Sequence, residues 1–574
     1  MKRVIFFSLI LLYHAISFSQ WSTDPAVNNP VIGFDTRLPN MVTDGNNGII
    51  LVCMTHPIHG LILAQRMSVA GYQMWGDGNG INIVNTPDQQ VLYFDHLENQ
   101  FLLPDDQGGA YIGYQLVRLI GYTHTGDESN ELYDFDGCIQ HLDANGNRLF
   151  GETGFKLMPD EPDSTGRSQK IKYWCSDGYG GLYVTWTRNH GVWGTDVEKD
   201  GTYLARISPD GEYIWGPKKM HVTSVSYIPY LDSNLNLNLY FTIGETSTKI
   251  PDKFIRINSV DGAILSEREI EIGVGEYGFS AFFDYCSSEN NSVIFAFRDF
   301  RADTLRIQKL DADGYTQWGN EPVIVRSGLR GYRTFDIESD HLGGAYIYYA
   351  TKDDTFRLAH YDNTGAKLWD RTSATGGSIN GYEKLISVDS NGNVFILVNS
   401  RKYLTKINFG GDTLWTSQVT SRDTVISESW SKRILADNLG GCIVAWHEIG
   451  RQFYGIRAQR INSNGQLGAP TFVSHPATEK QVDTFQIEGV YPNPFNSSVT
   501  VRFTTPLLAD LSIKIYNLLG EEVITLYSGK IDEGLHDLQW RSMNSQGERV
   551  TSGVYVLVCQ SRLFKKSQKI LFMK

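Results

Sequence analysis

A ten-residue pattern recurs along most of this chain, and it constrains the fold more than any other feature. In "LAHYDNTGAKLWDR" (358–371) an acid, a glycine and a tryptophan, Asp362, Gly365 and Trp369, stand at fixed spacing inside a β-rich run. Clear copies are "LDANGNRLFG" (142–151), "ISPDGEYIWG" (207–216), "LDADGYTQWG" (310–319) and "INFGGDTLWT" (407–416). Weaker copies are "MSVAGYQMWG" (67–76), "INSVDGAILS" (257–266) and "INSNGQLGAP" (461–470). Ahead of each copy lies a second element of the type "DHLGGAYIYY" or "DGYGGLYVTW". Each paired element reads as four short strands; in the sixth these are "YRTFDIES", "GAYIYYAT", "FRLAHYD" and "AKLWDRT". Glycine supplies the positive φ of the tight turns, and Asp or Asn caps them through its side chain. A lone four-stranded blade cannot bury both faces, so units of about 50 residues must stack around an axis. The expected fold is all-β, an eight-bladed β-propeller. Seven blades result if the degenerate unit around Asn234–Ser266 fails to complete its sheet.

The spacing resembles the tryptophan-docking repeat of the quinoprotein-type propellers, Asp-x-x-Thr-Gly-x-x-x-Trp. Asp362, Thr364, Gly365 and Trp369 match it fully, and Phe150, Trp215, Trp318 and Trp415 hold the tryptophan position elsewhere. The resemblance implies that these aromatics wedge between neighbouring blades, and it concerns architecture alone. A sialidase Asp-box fits less well, because in "SPDGEYIW" (208–215) Trp215 lies four residues after Gly211 rather than three. Many quinoprotein dehydrogenases use adjacent cysteines and a carboxylate-bound calcium. Here no two of Cys53, Cys138, Cys175, Cys286, Cys442 and Cys559 are adjacent, and "DADG" (311–314) lacks the twelfth-position Glu of a calcium loop. No cofactor and no metal site is expected. The cysteines are scattered in apolar runs and read as buried free thiols.

Lys2 and Arg3 followed by "VIFFSLILLYHAI" read as a signal peptide, too short to span a bilayer, with cleavage expected before Gln20. No later stretch is apolar enough to be a transmembrane segment. The net charge of −13, with no basic stripe, argues against nucleic acid as a partner.

In a blade the first-to-second and third-to-fourth turns share one face, here the stereotyped Asp/Gly turns. The second-to-third loops open on the other face and vary greatly, and variable loops on a rigid scaffold usually carry function. His190, Trp193, Arg301, Asp303 and Arg451 on those loops mix an aromatic with both charge signs, as a carbohydrate or peptide site would. Neither "HPIHG" nor "WHEIGR" (His447 beside Glu448) forms a zinc motif, and there is no nucleophile elbow or phosphate loop. These residues favour a non-catalytic binding module for a glycan, peptide or protein. An extracellular glycan-active hydrolase or lyase is the second reading, and a quinoprotein-like oxidoreductase the third.

After a polar linker the repeat stops, and alternating strands with Gly, Pro and Asn turns describe a small immunoglobulin-like β-sandwich of about seven strands. This tail resembles the type A C-terminal sorting domain of type IX secretion cargo. The matching marks are Tyr491-Pro492-Asn493-Pro494, "IYNLLGEEV" (515–523) with Gly520, Gly534 with His536 and Trp540, Gly553-Val554-Tyr555, and a basic last strand containing Lys569 and ending at Lys574. The resemblance implies export across both membranes, with the type IX translocon and its C-terminal signal peptidase as partners. It implies a product released or attached at the surface, and recognition through residues 491–494, 520, 553–555 and Lys569–Lys574. The expected organisation is signal peptide 1–19, propeller 20–473, linker 474–486 and sorting domain 487–574.

Overall fold

The computed structural model of the chain describes residues 21–572 apart from short intervals, the longest being 92–101, 159–166, 191–199, 243–251, 271–282, 376–384, 421–431 and 469–485. The chain divides into two compact units, Met1–Thr471 and Phe472–Lys574.

Among its described residues the first unit is built of β-sheet. Six antiparallel sheets have four strands each, and a nine-stranded sheet resolves into two further blade-like groups joined through one parallel pairing, Ser168 with Phe135. The sixth repeat shows the pattern. Its strands Phe335–Ser339, Ala345–Ala350, Thr355–Tyr361 and Lys367–Thr375 pair in chain order. The second strand, "AYIYYA", is buried throughout because both of its faces are covered. Tyr346, Tyr348 and Ala350 pack towards the seventh repeat, and Ala345, Ile347 and Tyr349 towards the fifth. This two-residue alternation between two cores is why central strands here read as continuous apolar runs. The degenerate fourth repeat also completes a sheet, from Ser226–Leu231 to Ile264–Ile270.

The innermost strand of the sixth repeat packs beside that of the seventh (Ile386–Val388), which packs beside that of the eighth (Lys432–Ala436). The eighth packs in turn beside that of the first, Thr36–Thr43, closing the array. Closure also uses a segment that the repeat does not announce. Asn29–Ile32 supplies the outer strand of the eighth sheet, pairing with Tyr454–Ile461 at Asn29 and Ala458. The eighth repeat has no aromatic in its own pattern, and Trp21 provides one: its indole N–H donates to the Val69 carbonyl at 2.8 Å, against Gly71 of the first repeat.

That arrangement recurs between repeats and explains the acid, the glycine and the tryptophan. The Trp318 indole donates to the Asn363 carbonyl at 2.9 Å, Trp369 to Phe409 at 2.9 Å, and Trp415 to Ser463 at 2.9 Å. Each lies on the glycine of the next repeat's turn; a Cβ on Gly365 would sit 2.7 Å from the Trp318 ring. Asp362 shapes that turn, its carboxylate accepting from the Thr364 and Ala366 N–H groups and the Thr364 hydroxyl. The fourth repeat departs from the pattern. Ser266 stands opposite Arg256 where Trp369 stands opposite His360. Phe254 fills the place under Gly314 instead, while Arg256 and Asn238 donate to the Ala312 carbonyl.

The second unit is a sandwich. One sheet has the order Glu522–Ile531, Ala509–Tyr516, Gly553–Ser561, Lys565–Phe572, and the other Gln486–Tyr491, Val499–Thr505, Gly534–Trp540. Val501, Phe503, Ile513, Leu557, Ile570 and Phe572 meet in its core. None of the six cysteines is in a disulfide; Cys175 is half-buried and the others are buried, with burial pushing the Cys559 thiol up to about 12.

Candidate functional sites

On the stereotyped turn face the polar groups are spent on structure. Each first-to-second turn of the Asp-x-x-Gly-Gly type uses one carboxylate oxygen to accept two backbone N–H groups, as Asp340 does from Leu342 and Gly344 at 2.8 Å. The second oxygen meets a basic side chain from the third strand. The pairs are Arg66 with Asp44, His141 with Asp105, Arg206 with Asp177, His360 with Asp340, Lys406 with Asp389 and Arg460 with Asp437. Several of these cations also reach across to the next repeat: Arg66 donates to the Ala144 carbonyl, Arg206 to Ser259 and Lys406 to Gly440. Lys309, in the repeat where a 3-10 turn replaces the aspartate, donates to Gly343 at 2.7 Å. Burial pushes the Asp340 carboxyl up, but the His360 hydrogen bond and the two backbone N–H groups outweigh it and hold it below the usual range. Asp105 is held low in the same way by His141, Gln107 and Gly109.

The sequence carries this signal. A basic residue stands two places before each turn residue: Arg66, His141, Arg206, Arg256, Lys309, His360, Lys406 and Arg460. This basic column is a further periodic signal, independent of the glycines and tryptophans that define the repeat.

On the variable face, His190 ends the strand Leu182–His190, where its backbone pairs with Arg167; its side chain lies outside the description. Trp193, Arg301 and Arg451 lie outside the described residues. Asp303 is half-buried and holds a positive φ of 49° in the loop after Ser292–Asp299. Its carboxylate bridges Arg298 of its own repeat, at 2.7 Å, and Lys352 of the next. Hydrogen bonds from Lys352 and then Arg298 hold its carboxyl below the usual range. Asp303 therefore ties two repeats together at this face. The same face carries the longest hairpin, Ala110–Thr125 with Glu128–Leu142, whose pairing runs on from Leu119 with Tyr133 to Thr125 with Glu128. No group of three or more His, Cys, Asp or Glu among the described residues is arranged to hold a metal ion.

In the sandwich three separated motifs meet. Gly553, Val554 and Tyr555 pair with Phe572, Leu571 and Ile570 of the last strand, and Val556 pairs with Lys569. Tyr555 is buried, edge-on to Trp540, and its hydroxyl donates to the Thr551 carbonyl. On the other side of the last strand stands Asn493, whose amide N–H donates to the Lys569 carbonyl at 3.0 Å and whose oxygen accepts from the Leu571 N–H at 2.8 Å. Tyr491 ends Gln486–Tyr491, opposite Thr500. Gly520 turns the hairpin after Tyr516 with a φ of 81°, at the same end of the sheet, since Tyr516 pairs with Val556. Lys569 is exposed; Pro492, Pro494 and Lys574 lie outside the described residues. No helix among the described residues is long and apolar enough to cross a membrane.

Comparison with known proteins gives this geometry a context. No curated protein matches the chain. Among solved structures it is similar to PorZ, a surface component of the type IX secretion system of Porphyromonas gingivalis, at 14% identity over 93% of this chain and 70% of that one, with a TM-score of 0.33. It is similar to the BP39L lectin of Burkholderia pseudomallei at 10% identity, over 66% and 98% of the two chains, with a TM-score of 0.38. It is also similar to virginiamycin B lyase of Staphylococcus aureus at 12% identity, over 67% and 96%, with a TM-score of 0.32. Residues 489–573 match the family described as the secretion system C-terminal sorting domain. The chain thus carries at residues 489–573 a sorting domain of the type IX system, and the protein is secreted to the cell surface or beyond it.

Proposed function

We propose that the protein is an eight-bladed propeller delivered to the cell exterior, where it binds a glycan, peptide or partner protein without converting it. The observation that carries this reading is the asymmetry between the two faces of the first unit. On the turn face the aspartates and basic side chains are consumed in holding turns and seams, as in Asp340 with His360 and Arg206 with Asp177. Ligand recognition then falls to the variable loops and to His190, Trp193, Arg301, Asp303 and Arg451. An indole with charges of both signs suits a sugar face or a polar peptide. The proposed organisation is a signal peptide at 1–19 removed on export, the propeller at 20–473, a linker at 474–486 and the sorting domain from 487. The translocon and its C-terminal signal peptidase handle that last domain.

The mature chain applied to a glycan array and a peptide array, alongside a screen for hydrolase and lyase turnover, tests the reading. Saturable binding that Trp193→Ala abolishes, without turnover, is the expected result. Turnover of any bound glycan would replace the binding role by an enzymatic one.

A further inference from the structure

The marks that identify the sorting domain are not equivalent in what their side chains have free to offer. Asn493 is exposed, yet both polar atoms of its amide are engaged by the last strand, the nitrogen by the Lys569 carbonyl and the oxygen by the Leu571 N–H. A side chain amide used this way acts as one short rung of a sheet. The contact continues two residues on, where the Phe495 N–H donates to the Leu571 carbonyl at 3.0 Å and Phe495 pairs in parallel with Phe572. Phe495 and Phe572 are buried with their rings 5.0 Å apart, which anchors the segment to the core. Asn493 also precedes Pro494, and a residue before proline is steered away from helical backbone.

The strand so held is an edge. Lys565–Phe572 is bonded along one side to Gly553–Gln560, and its sheet ends there. Edge strands at a chain terminus fray unless they are tied down. Between Lys569 and Phe572 this strand is held on both sides, by Gly553–Val556 and by Asn493 with Phe495, while the Lys569 side chain stays exposed.

We propose that Asn493 is a positioning residue for export: it clamps the backbone of Lys569–Leu571, so that the translocon meets the last strand in one fixed register. This rests on the reading of residues 487–574 as the sorting signal. The proline-flanked motif would then act through the last strand and not through its own contact with the translocon.

The full chain carrying Asn493→Ala, and separately Asn493→Asp, would be expressed in a host with an intact type IX system and fractionated. The same purified variants would be followed by hydrogen exchange. Asn493→Asp keeps the acceptor for Leu571 and loses the donor to Lys569, so it reports even if the alanine variant fails to fold. The expected result is about tenfold faster exchange at Leu571 in Asn493→Ala, which loses its acceptor, and a smaller increase in Asn493→Asp, which keeps that acceptor but no longer holds the Lys569 carbonyl. Protection in Val499–Thr505 should stay unchanged, and the exported fraction should fall for both variants, less for Asp. Reduced export with Leu571 still protected would overturn the proposal, since Asn493 would then be read directly. Lost protection with normal export would overturn it as well, and so would no change in either. A chain ending at residue 486 is the control: if it still leaves the cell, the sorting reading itself fails, whatever Asn493 does.

Discussion

Replacing Gly365 by alanine tests the seam between the fifth and sixth repeats, because two separable penalties meet there. The backbone is left-handed, with φ at 80°, and an L-residue in that region costs about 1–2 kcal/mol. The new methyl would also lie 2.7 Å from Trp318 Cγ and 2.8 Å from Cδ2, so the indole must move by most of an ångström. Overpacking of this kind costs about 1–3 kcal/mol. The displacement further strains the 2.9 Å hydrogen bond from the indole to Asn363, worth about 0.5–1.5 kcal/mol. Gly365→Ala should therefore destabilise the first unit by about 3–5 kcal/mol. In a Trp318→Ala background the clash is gone and only the backbone penalty of about 1–2 kcal/mol remains, giving a coupling of about 2–3 kcal/mol. Gly365→Asn separates the two further, since asparagine tolerates the left-handed region but keeps the clash. Urea unfolding of the full chain, with calorimetry to assign the transition, measures all four variants. An equal cost of Gly365→Ala with and without Trp318 would refute the wedge and leave the glycine explained by its turn alone.

Trp21→Ala should destabilise the first unit by about 3–5 kcal/mol, because this buried indole completes the eighth repeat from outside it. Protease resistance of the eighth repeat unaffected by the change would show that closure does not depend on it. Trp369 is only half-buried, so Trp369→Ala should cost less than Trp75→Ala, whose indole is 1% exposed, in the same melts. The folded Asp340 carboxyl titrates below its unfolded value, so its contribution is complete above about pH 4 and is lost as the pH falls through the folded value. The stability gap between wild type and Asp340→Asn should therefore be steady near neutrality and shrink in acid; a gap that widens on acidification would contradict the assignment.

The repeat was legible because its chemistry is local: a glycine under an indole and an acid over a turn leave a fixed spacing whatever the rest of the blade does. Strand order within the sixth repeat followed from that spacing alone. What the spacing could not show was closure. Trp21 and Asn29–Ile32 lie more than 400 residues from Ala458 and Gln459, and a strand borrowed from the other end of the array has no periodic signature. The fourth repeat looked degenerate because its aromatic had moved from the fourth strand to Phe254 on the third, a compensation visible only in three dimensions. In the tail the motif residues could be identified, but not that Asn493 and Gly553–Tyr555 meet the same stretch of the last strand from its two sides. That follows from sheet order, which alternation does not specify.

Export through the carboxy-terminal domain can be tested by cell fractionation. In a host with an intact type IX system, the full chain should be found at the surface or in the medium and a chain ending at residue 486 in the periplasm. Residues 487–574 placed behind an unrelated signal-bearing passenger should carry that passenger out of the cell. A truncated chain that still reaches the surface, or a fusion that never leaves the periplasm, would contradict the account.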